Sequence, residues 1–194
     1  MARSNAGRGA GQLRIIGGEW RGRRLRFTPA EGLRPTADRT RETLFNWLAP
    51  KIANSRCLDL FAGSGALGLE ALSRGAAHCD FVESDQRTLA TIATHLTTLQ
   101  AADRARCHNT VAETFLANMT TPYDVVFIDP PFASNLAGSI CRQLAVTHAL
   151  AEGALVYVET SASEPAPTVP DAWQLQREKK SREAAYRLFE QTPR

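Results

Sequence analysis

The segment VVFIDPPF, residues 125 to 132, places a carboxylate, two prolines and an aromatic ring directly after a run of apolar residues. An exocyclic amine on a nucleobase is a weak nucleophile, because its lone pair is delocalised into the ring. A carboxylate and a fixed carbonyl that both accept hydrogen bonds from this amine can orient its lone pair toward an electrophile. Asp129 is the predicted carboxylate, and Pro130 supplies the carbonyl. Pro131 stiffens the turn, and Phe132 is placed to stack on the base. A strand merely ended by prolines is the alternative, and it leaves the acid and the ring unexplained.

A second segment, DLFAGSGALGLE at residues 59 to 70, has a GxGxxG pattern between a predicted strand and a predicted helix. The pattern alone also fits a dinucleotide site or a packing turn. Asp59 would repel a pyrophosphate, and it favours a cofactor that carries an ammonium group. S-adenosylmethionine carries one, together with a ribose diol for Glu83 at the end of the next strand. The backbone at Phe61, Gly63 and Gly65 can approach such a cofactor closely.

The elements that must position these residues follow from the alternation of apolar runs after residue 57. Strands are predicted at CLDLF, HCDFVES, ARCHN, DVVFID and ALVYVET, with helices between them that end near residues 74, 99, 118 and 150. A loop rich in proline and serine at 161 to 172 precedes WQLQREKKS and AAYRLFE, which predict an antiparallel hairpin at the sheet edge. The expected fold is α/β, with a doubly wound sheet whose first and fourth strands are neighbours where strand order reverses.

Upstream of this sheet, LRIIGGEWRGRRLRF at residues 13 to 27 predicts an exposed β-hairpin with arginines on one face. The segment LRPTADRTRETLFNWL at 33 to 48 predicts a helix capped by Thr36, with Leu44, Phe45 and Leu48 on its buried side. At 194 residues the chain is long enough for one full core with a small appendage.

Charge is distributed unevenly along the chain. The first 41 residues hold ten arginines against three acidic residues, a net charge of +7. Because the whole chain has a net charge of +3, the remaining residues sum to −4. A basic arm of this kind indicates a polyanionic partner, most often nucleic acid. The alternative is a general preference for arginine, since the chain has 20 arginines and 3 lysines. That preference does not account for the crowding of arginines at one end.

Composition also excludes several classes of protein. No stretch approaches the ~18 apolar residues of a membrane span, and the cysteines and histidines lack metal-ligand spacing, so no metal is predicted. The opening MARSNAGRGAGQ has no apolar core of a secretory signal. Residues 1–12 are therefore predicted to be a disordered basic tail of a cytoplasmic protein, with an organelle transit peptide as the alternative.

Taken together, these segments resemble a known family. DPPF after an apolar strand, with an earlier DxFxGxG, resembles the amino-methyltransferases of the class I S-adenosylmethionine-dependent fold. The segments LRIIGGEWRGRRL, GLRPTADRTRETLFNWL, CLDLFAGSGALGLEALSRGA and VVFIDPPF are similar, in order and spacing, to the bacterial 16S rRNA guanine-N2 methyltransferases. The resemblance runs from about residue 13 to the terminal hairpin. It implies a Rossmann-like methyltransferase sheet of seven strands with an N-terminal hairpin extension.

The resemblance also implies roles for particular residues. Asp129 to Phe132 would hold the guanine, and the cofactor would be held by Asp59, Phe61, Gly63, Gly65, Glu83, Val111 and Ala112. At the positions of Val111 and Ala112 the family tends to have a polar residue followed by alanine, so Val111 departs from the family pattern. Ribosomal RNA phosphates would be met by Arg21, Arg23, Arg24, Arg34 and Arg39.

The resulting hypothesis is a monomeric, cytoplasmic enzyme that methylates N2 of a guanine in 16S rRNA within the small ribosomal subunit. Residues 13–32 would form the RNA-binding extension and residues 33–194 the methyltransferase domain. A DNA adenine-N6 methylase is one alternative, although so short a chain leaves no room for an added target-recognition region. A noncatalytic RNA-binding assembly factor on the same fold is another, although such a factor has no need of Asp59 and Asp129.

Overall fold

The structure is a computed structural model that describes residues 11–27, 38–134, 136–147 and 149–192. Its elements in chain order are β1 (Gly11–Arg14), β2 (Arg24–Phe27), α1 (Asp38–Leu48), β3 (Arg56–Asp59), α2 (Ala66–Ser73), β4 (His78–Glu83), α3 (Gln86–Thr98), β5 (Ala105–Asn109), α4 (Ala112–Ala117), β6 (Tyr123–Ile128), α5 (Leu136–Val146), β7 (Leu150–Ser161), β8 (Trp173–Lys180) and β9 (Ala184–Gln191). Short 3₁₀ turns lie at Ala102–Arg104 and Phe132–Ser134. Residues 1–10 of the predicted tail and the predicted helix cap Thr36 lie outside the described residues. Gly11 and Gln12 were predicted to be disordered, but they pair with Phe27 and Arg26 in the hairpin, which therefore begins two residues earlier than predicted.

The central sheet has seven strands in the order β5-β4-β3-β6-β7-β9-β8. The first five strands in this order are parallel to one another. Strand β9 is antiparallel to both of its neighbours, β7 and β8. This confirms the predicted doubly wound sheet with a terminal antiparallel hairpin. Strand order reverses between β3 and β6, where Cys57 pairs with Val125 and Asp59 with Phe127. A ligand cleft is expected beyond the carboxyl ends of these two strands.

The predicted boundary between the last crossover helix and its strand is wrong by a few residues. Helix α5 ends at Val146, and β7 begins at Leu150 rather than near residue 154. The pairing of β6 with β7 shifts register between Tyr123 and Val125, so an irregular stretch lies between the first rung of the ladder and the rest. Alternation of apolar residues is lost across that stretch, which explains why the start of the strand is hidden in the sequence.

Two layers of helices cover the sheet. Helices α1, α2 and α3 share one buried cluster with the β1–β2 hairpin, and α4 and α5 share the other. The predicted buried face of α1 is confirmed, because Leu44, Phe45 and Leu48 have no exposed surface. Trp47 is half-buried, with its ring 6.1 Å from that of Tyr186. The hairpin is therefore part of the same hydrophobic core as helices α1, α2 and α3.

One buried carboxylate joins several strands on the α4 side of the sheet. Asp80 accepts hydrogen bonds from Arg56 at 2.7 Å, from the hydroxyl of Tyr123 at 2.8 Å and from the ring of His108 at 2.7 Å. Burial opposes its ionisation, but these bonds together lower the pKa of Asp80 below its ordinary value. The interaction holds β3, β4, β5 and β6 in register beneath the cleft.

The cysteines are free thiols, of which Cys57, Cys79 and Cys141 are buried and Cys107 is half-buried. Among the helices of the described ranges, none is both long enough and apolar enough to cross a membrane.

Candidate active site

The glycine turn links β3 to α2 through a buried carboxylate. Asp59 is 1% exposed, and its Oδ2 accepts a hydrogen bond of 3.0 Å from the backbone N–H of Gly68. Gly63 and Gly65 have φ values of 49° and 79°, in the left-handed region that side chains disfavour. A Cβ at Gly68 would lie 2.2 Å from the ring of Phe81, so this glycine lets α2 pack closely on β4. A Cβ at buried Gly65 would lie 3.1 Å from Leu69 and 3.2 Å from Ile92, whereas Gly63 is half-buried, so the turn is shaped mainly by packing.

The electrostatic environment of Asp59 fits a cationic ligand. The pKa of Asp59 is raised to about 7, chiefly by burial; the hydrogen bond from Gly68 opposes this rise, and the charge of Glu83 adds to it. A positive group in the cleft would offset the first of these effects and favour the ionised form. The ammonium group of S-adenosylmethionine has the required charge.

Glu83, at the end of β4, joins the turn to the next helix. One carboxylate oxygen accepts from Gly63 N at 3.0 Å, and the other accepts from Asp85 N at 2.8 Å. The side-chain amide of Asn109, at the end of β5, donates to the carbonyls of Glu83 and Ser84 at 3.0 and 2.9 Å. The carboxylate is thus fixed at the rim of the cleft, where it can accept hydrogen bonds from a ribose diol.

Val111 and Ala112 lie at the start of α4, beyond the end of β5. Val111 occupies the N-cap position without a side-chain capping bond and is 49% exposed, whereas Ala112 is 3% exposed. An exposed valine at this point offers an apolar surface for a planar ring but no side-chain hydrogen bond. An adenine edge bound at this point would have to be recognised through the backbone.

The segment after β6 lies across the strand-order reversal from the glycine turn, as predicted. Asp129 and Phe132 are half-buried, Pro130 is buried and Pro131 is exposed. The backbone N–H of Ser134 donates to the carbonyl of Pro131 at 2.9 Å and closes the 3₁₀ turn. Phe132 packs against the cluster that contains α1, α2 and the hairpin. Carboxylate, carbonyl and ring are therefore held by a stiff turn at the edge of the cleft.

The hairpin has the predicted face of arginines, but it is not exposed on both sides as predicted, because its apolar face packs into the core. Leu13, Leu25 and Phe27 are buried, whereas Arg14 and Arg24 are exposed and directly paired across the two strands. Like charges placed opposite each other are destabilising in a free hairpin. The carboxylate of Asp38 lies 3.3 Å from the guanidinium of Arg14. The predicted residues Arg21, Arg23 and Arg39 are also exposed, and Arg34 lies outside the described residues.

A glutamate that the sequence reasoning missed attaches the hairpin to α2. Glu70 has no exposed surface, and its two oxygens accept from the backbone N–H groups of Ile16 and Gly17, each at 2.8 Å. Arg74 donates to the same carboxylate at 2.7 Å, and the guanidinium of buried Arg41 lies 3.5 Å away. Its signal in the sequence is one acid within an otherwise apolar helix, LGLEALS. The glycine turn precedes α2, and the hairpin is attached along the rest of this short helix.

Comparison with known proteins gives matches over nearly the whole chain. The family model described as conserved hypothetical protein 95 matches residues 13–190. The ribosomal RNA small subunit methyltransferase D of Escherichia coli K12 is 51% identical over 182 residues, which are 94% of this chain and 91% of that protein. The solved structure of yhhF from Escherichia coli has a TM-score of 0.87 and 48% identity, covering 94% of this chain and 99% of that one. An RNA methyltransferase from Salinibacter ruber, solved with S-adenosyl-L-homocysteine, has a TM-score of 0.63 at 13% identity, covers 83% of this chain and 95% of its own, and shows a likeness of fold alone.

Proposed function

Because this chain belongs to the family described as conserved hypothetical protein 95, we propose that it methylates N2 of a guanine in 16S rRNA. It is an S-adenosylmethionine-dependent methyltransferase, and ribosomal RNA is its substrate. The observation that carries the proposal is the placement of the Asp129 turn beside the glycine turn where strand order reverses. The curated relative that shares half of its residues is named for the small-subunit RNA. A DNA methylase and a noncatalytic assembly factor are not favoured by these relatives.

The cofactor would be held by residues from three strand ends. Asp59 would face the ammonium group, the glycine turn at Gly63 and Gly65 would lie against the methionine part of the cofactor, and Glu83 would face the ribose diol. Phe61, Val111 and Ala112 would line the remaining walls. When bound, S-adenosylmethionine supplies a methyl group on a positively charged sulfur, which is the electrophile of the reaction.

The target base would be held by the turn after β6. The carboxylate of Asp129 and the carbonyl of Pro130 accept hydrogen bonds from the two N–H groups of the amine, which points the nitrogen lone pair out of the base plane. As nitrogen becomes positively charged, the negative charge of Asp129 stabilises it. Pro131 restricts the turn, and Phe132 stacks on the base.

The RNA would dock along the hairpin and the start of α1. The exposed set of arginines there is Arg21, Arg23, Arg24 and Arg39, to which the structure adds Arg14 and Arg26. The cross-strand pairing of Arg14 with Arg24 brings two like charges together, which the Asp38 carboxylate, 3.3 Å from Arg14, offsets in part. Phosphate groups of a folded RNA would offset the remaining repulsion. We also propose that the enzyme acts on rRNA within the small ribosomal subunit, that it is cytoplasmic and that it is a monomer.

The proposal is tested by transfer of a labelled methyl group to three acceptors in parallel: unmethylated small ribosomal subunits, protein-free 16S rRNA and duplex DNA. We expect N2-methylguanosine in at least one of the ribosomal acceptors, and the better acceptor identifies the recognised form. N6-methyladenine in DNA contradicts the choice of substrate. No transfer to any acceptor, with cofactor binding intact, contradicts the enzymatic proposal.

Cofactor binding is expected to depend on pH through Asp59. With a pKa of about 7 in the cofactor-free protein, this group is neutral below that pH and cannot attract the ammonium. Affinity should therefore rise roughly threefold to tenfold between pH 6 and pH 7.5, and level off as the cofactor's own amine loses its proton near pH 8. Calorimetric titration measures the affinity for S-adenosylmethionine at each pH.

The matched variants are Asp59→Asn, which should bind weakly with little pH dependence, and Asp171→Asn, an exposed acid that should leave the profile unchanged. A wild-type affinity that stays constant from pH 6 to 7.5 contradicts the role of Asp59.

Charge reversal on the hairpin is expected to weaken RNA binding. Arg23→Glu combined with Arg24→Glu should lower affinity at low salt by tenfold or more. It should also reduce the slope of log affinity against log salt by about 1 to 2, because phosphate contacts are lost. Filter binding at several salt concentrations measures both quantities.

The control is Arg106→Glu combined with Arg142→Glu, which makes the same charge change on the α4 and α5 side of the sheet, where both arginines are exposed. If the two double variants bind RNA equally well, the hairpin is not the docking surface.

A further inference from the structure

The β7–β9–β8 edge of the central sheet rises above the cleft. Strand β6 pairs with β7 up to Ile128 and Val158, but β7 continues for three more residues and pairs with β9 as far as Ser161 and Ala184. At about 3.3 Å per residue, this edge stands ~10 Å above the end of β6, from which the Asp129 turn departs. The turn between β8 and β9, residues 181–183, therefore lies at the raised edge of the sheet, beside the proposed guanine site.

The β8–β9 turn and the end of β8 carry a basic sequence that none of the roles above uses. Residues 177 to 183, REKKSRE, hold four cations and two acids, a net charge of +2. One of the acids, Glu178, accepts a hydrogen bond of 2.7 Å from the guanidinium of buried Arg187. Lys179, Lys180 and Arg182 are exposed, and none of the three forms an ion pair with another described residue. Three positive charges are thus presented to solvent at the edge of the cleft.

Hydrogen bonds order the turn that presents these charges. The backbone N–H of Ser181 donates to the carbonyl of Ala184 at 2.8 Å, and the backbone N–H of Ala184 donates to the hydroxyl oxygen of Ser181 at 3.0 Å. The backbone N–H of Ala162 donates to the carbonyl of Glu183 at 2.9 Å, which ties the turn to the end of β7. Because the backbone is already ordered, a ligand that binds here does not bear the entropic cost of ordering a loop.

The two lysines leave opposite faces of the edge strand. Lys179 pairs with Tyr186, whose ring lies 6.1 Å from that of Trp47 on α1, and Lys180 pairs with Ala185. Successive residues of a strand alternate between its faces, so Lys179 lies on the α1 side and Lys180 on the α5 side. A chain of phosphates that crosses the end of the turn is within reach of both side chains. Because the segment REKKSRE has no aromatic residue that could stack on a base, this surface suits phosphates rather than bases.

Building on the function proposed above, we propose that the β8–β9 turn is a second RNA-binding surface, which holds phosphates of the nucleotides next to the target guanine. The β1–β2 hairpin is attached to α2 and α3, which pack on β3, β4 and β5. In the order of the sheet, the two basic surfaces therefore lie on opposite sides of β6. Strand β9 is two strands, or ~10 Å, away from β6, about the length of three nucleotides of a stacked strand. The RNA crosses the cleft between two fixed surfaces, which restricts how the target base enters it.

The lysine content of the chain allows a direct test on the wild-type protein. Its three lysines are Lys51, Lys179 and Lys180. Lys51 lies near the opposite edge of the sheet, where its ammonium group donates to the carbonyl of Gly153 at 2.6 Å and pairs with Glu190 at 2.9 Å. Lysine acetylation is followed by mass spectrometry with and without a saturating amount of the ribosomal acceptor that the enzyme methylates, with S-adenosylhomocysteine added to prevent transfer. Acetylation should slow by about threefold or more at Lys179 and Lys180, because bound phosphates mask them, and should be unchanged at Lys51.

Lys179→Gln combined with Lys180→Gln removes both charges from exposed positions. We expect the KM for that acceptor to rise by about threefold to tenfold at low salt, with kcat within about twofold of the wild type. The slope of log affinity against log salt should fall by about 1 to 1.5, since two contacts with single-strand phosphates are lost. Lys179→Arg combined with Lys180→Arg keeps both charges and should weaken binding less than the glutamine pair does. Lys51→Gln is the control for loss of a lysine elsewhere and should leave the KM unchanged.

Equal acetylation of Lys179 and Lys180 with and without the bound acceptor overturns the inference, and this result does not depend on the folding of any variant. A KM of the glutamine variant within about twofold of the wild-type value overturns it as well. A loss of affinity with an unchanged salt slope overturns the assignment of phosphate as the ligand. Failure of the wild-type enzyme to methylate guanine in any ribosomal acceptor instead overturns the proposed function, so the two failures are distinct.

Discussion

Replacing Asp129 with alanine is expected to reduce the rate of methyl transfer by about 10³-fold or more, with no change in affinity for S-adenosylmethionine. Removing one group that stabilises charge in the transition state costs about 10²- to 10³-fold in other enzymes, and Asp129 also orients the nucleophile. The cofactor contacts proposed for Asp59 and Glu83 are untouched by the change. Single-turnover transfer with saturating enzyme measures the rate, and calorimetry measures cofactor binding.

Two further variants separate charge from geometry. Asp129→Asn keeps one acceptor oxygen without the negative charge, and its rate should fall between those of the wild type and the alanine variant. Asp124→Ala removes an exposed acid from the same strand and should leave the rate unchanged. Transfer by Asp129→Ala within tenfold of the wild-type rate is the result that would sink the mechanism.

Replacing Glu70 with glutamine is expected to lower the free energy of unfolding by about 3–5 kcal/mol. The carboxylate accepts from two backbone N–H groups and from Arg74, and it lies beside the buried guanidinium of Arg41. Breaking a buried charge arrangement of this kind costs that much, because the remaining partners stay buried. For a chain of this size the midpoint of thermal unfolding should fall by roughly 6–20 °C. Urea unfolding followed by circular dichroism measures the free energy.

Glu42→Gln provides the control, since Glu42 is an exposed carboxylate on α1 and its loss should cost little. At a temperature where Glu70→Gln is folded, RNA affinity should also fall, because the hairpin is released, while cofactor binding is kept. A loss of stability below about 1 kcal/mol would show that Glu70 does not hold the hairpin.

The sheet order and the position of the site followed from short segments with strong local signals. The strand alternation after residue 57 and the terminal runs without a helix between them predicted the seven strands. DLFAGSG and VVFIDPPF both combine an apolar strand with an unusual turn, so their placement at neighbouring strand ends could be predicted. The hairpin was visible because its apolar and basic residues alternate.

Contacts between distant segments could not be predicted in the same way. Glu70 is 54 residues from Ile16 in the chain, and the local sequence LGLEALS does not indicate which backbone groups its carboxylate binds. The start of β7 was mispredicted because the strand contains an irregular stretch that breaks the periodicity.

The attachment of the hairpin to α2 limits how this enzyme can be recombined with its relatives. Ser73 donates to the carbonyl of Gly17 at 2.6 Å, and a Cβ at Gly18 would lie 1.8 Å from the carbonyl oxygen of Ser73. The hairpin and the end of α2 are therefore matched atom by atom, across more than 50 residues of chain. A chimera that exchanges the hairpin alone must import the residues at positions 70 and 73 with it. The hairpin and the methyltransferase sheet are thus one structural unit, not exchangeable modules.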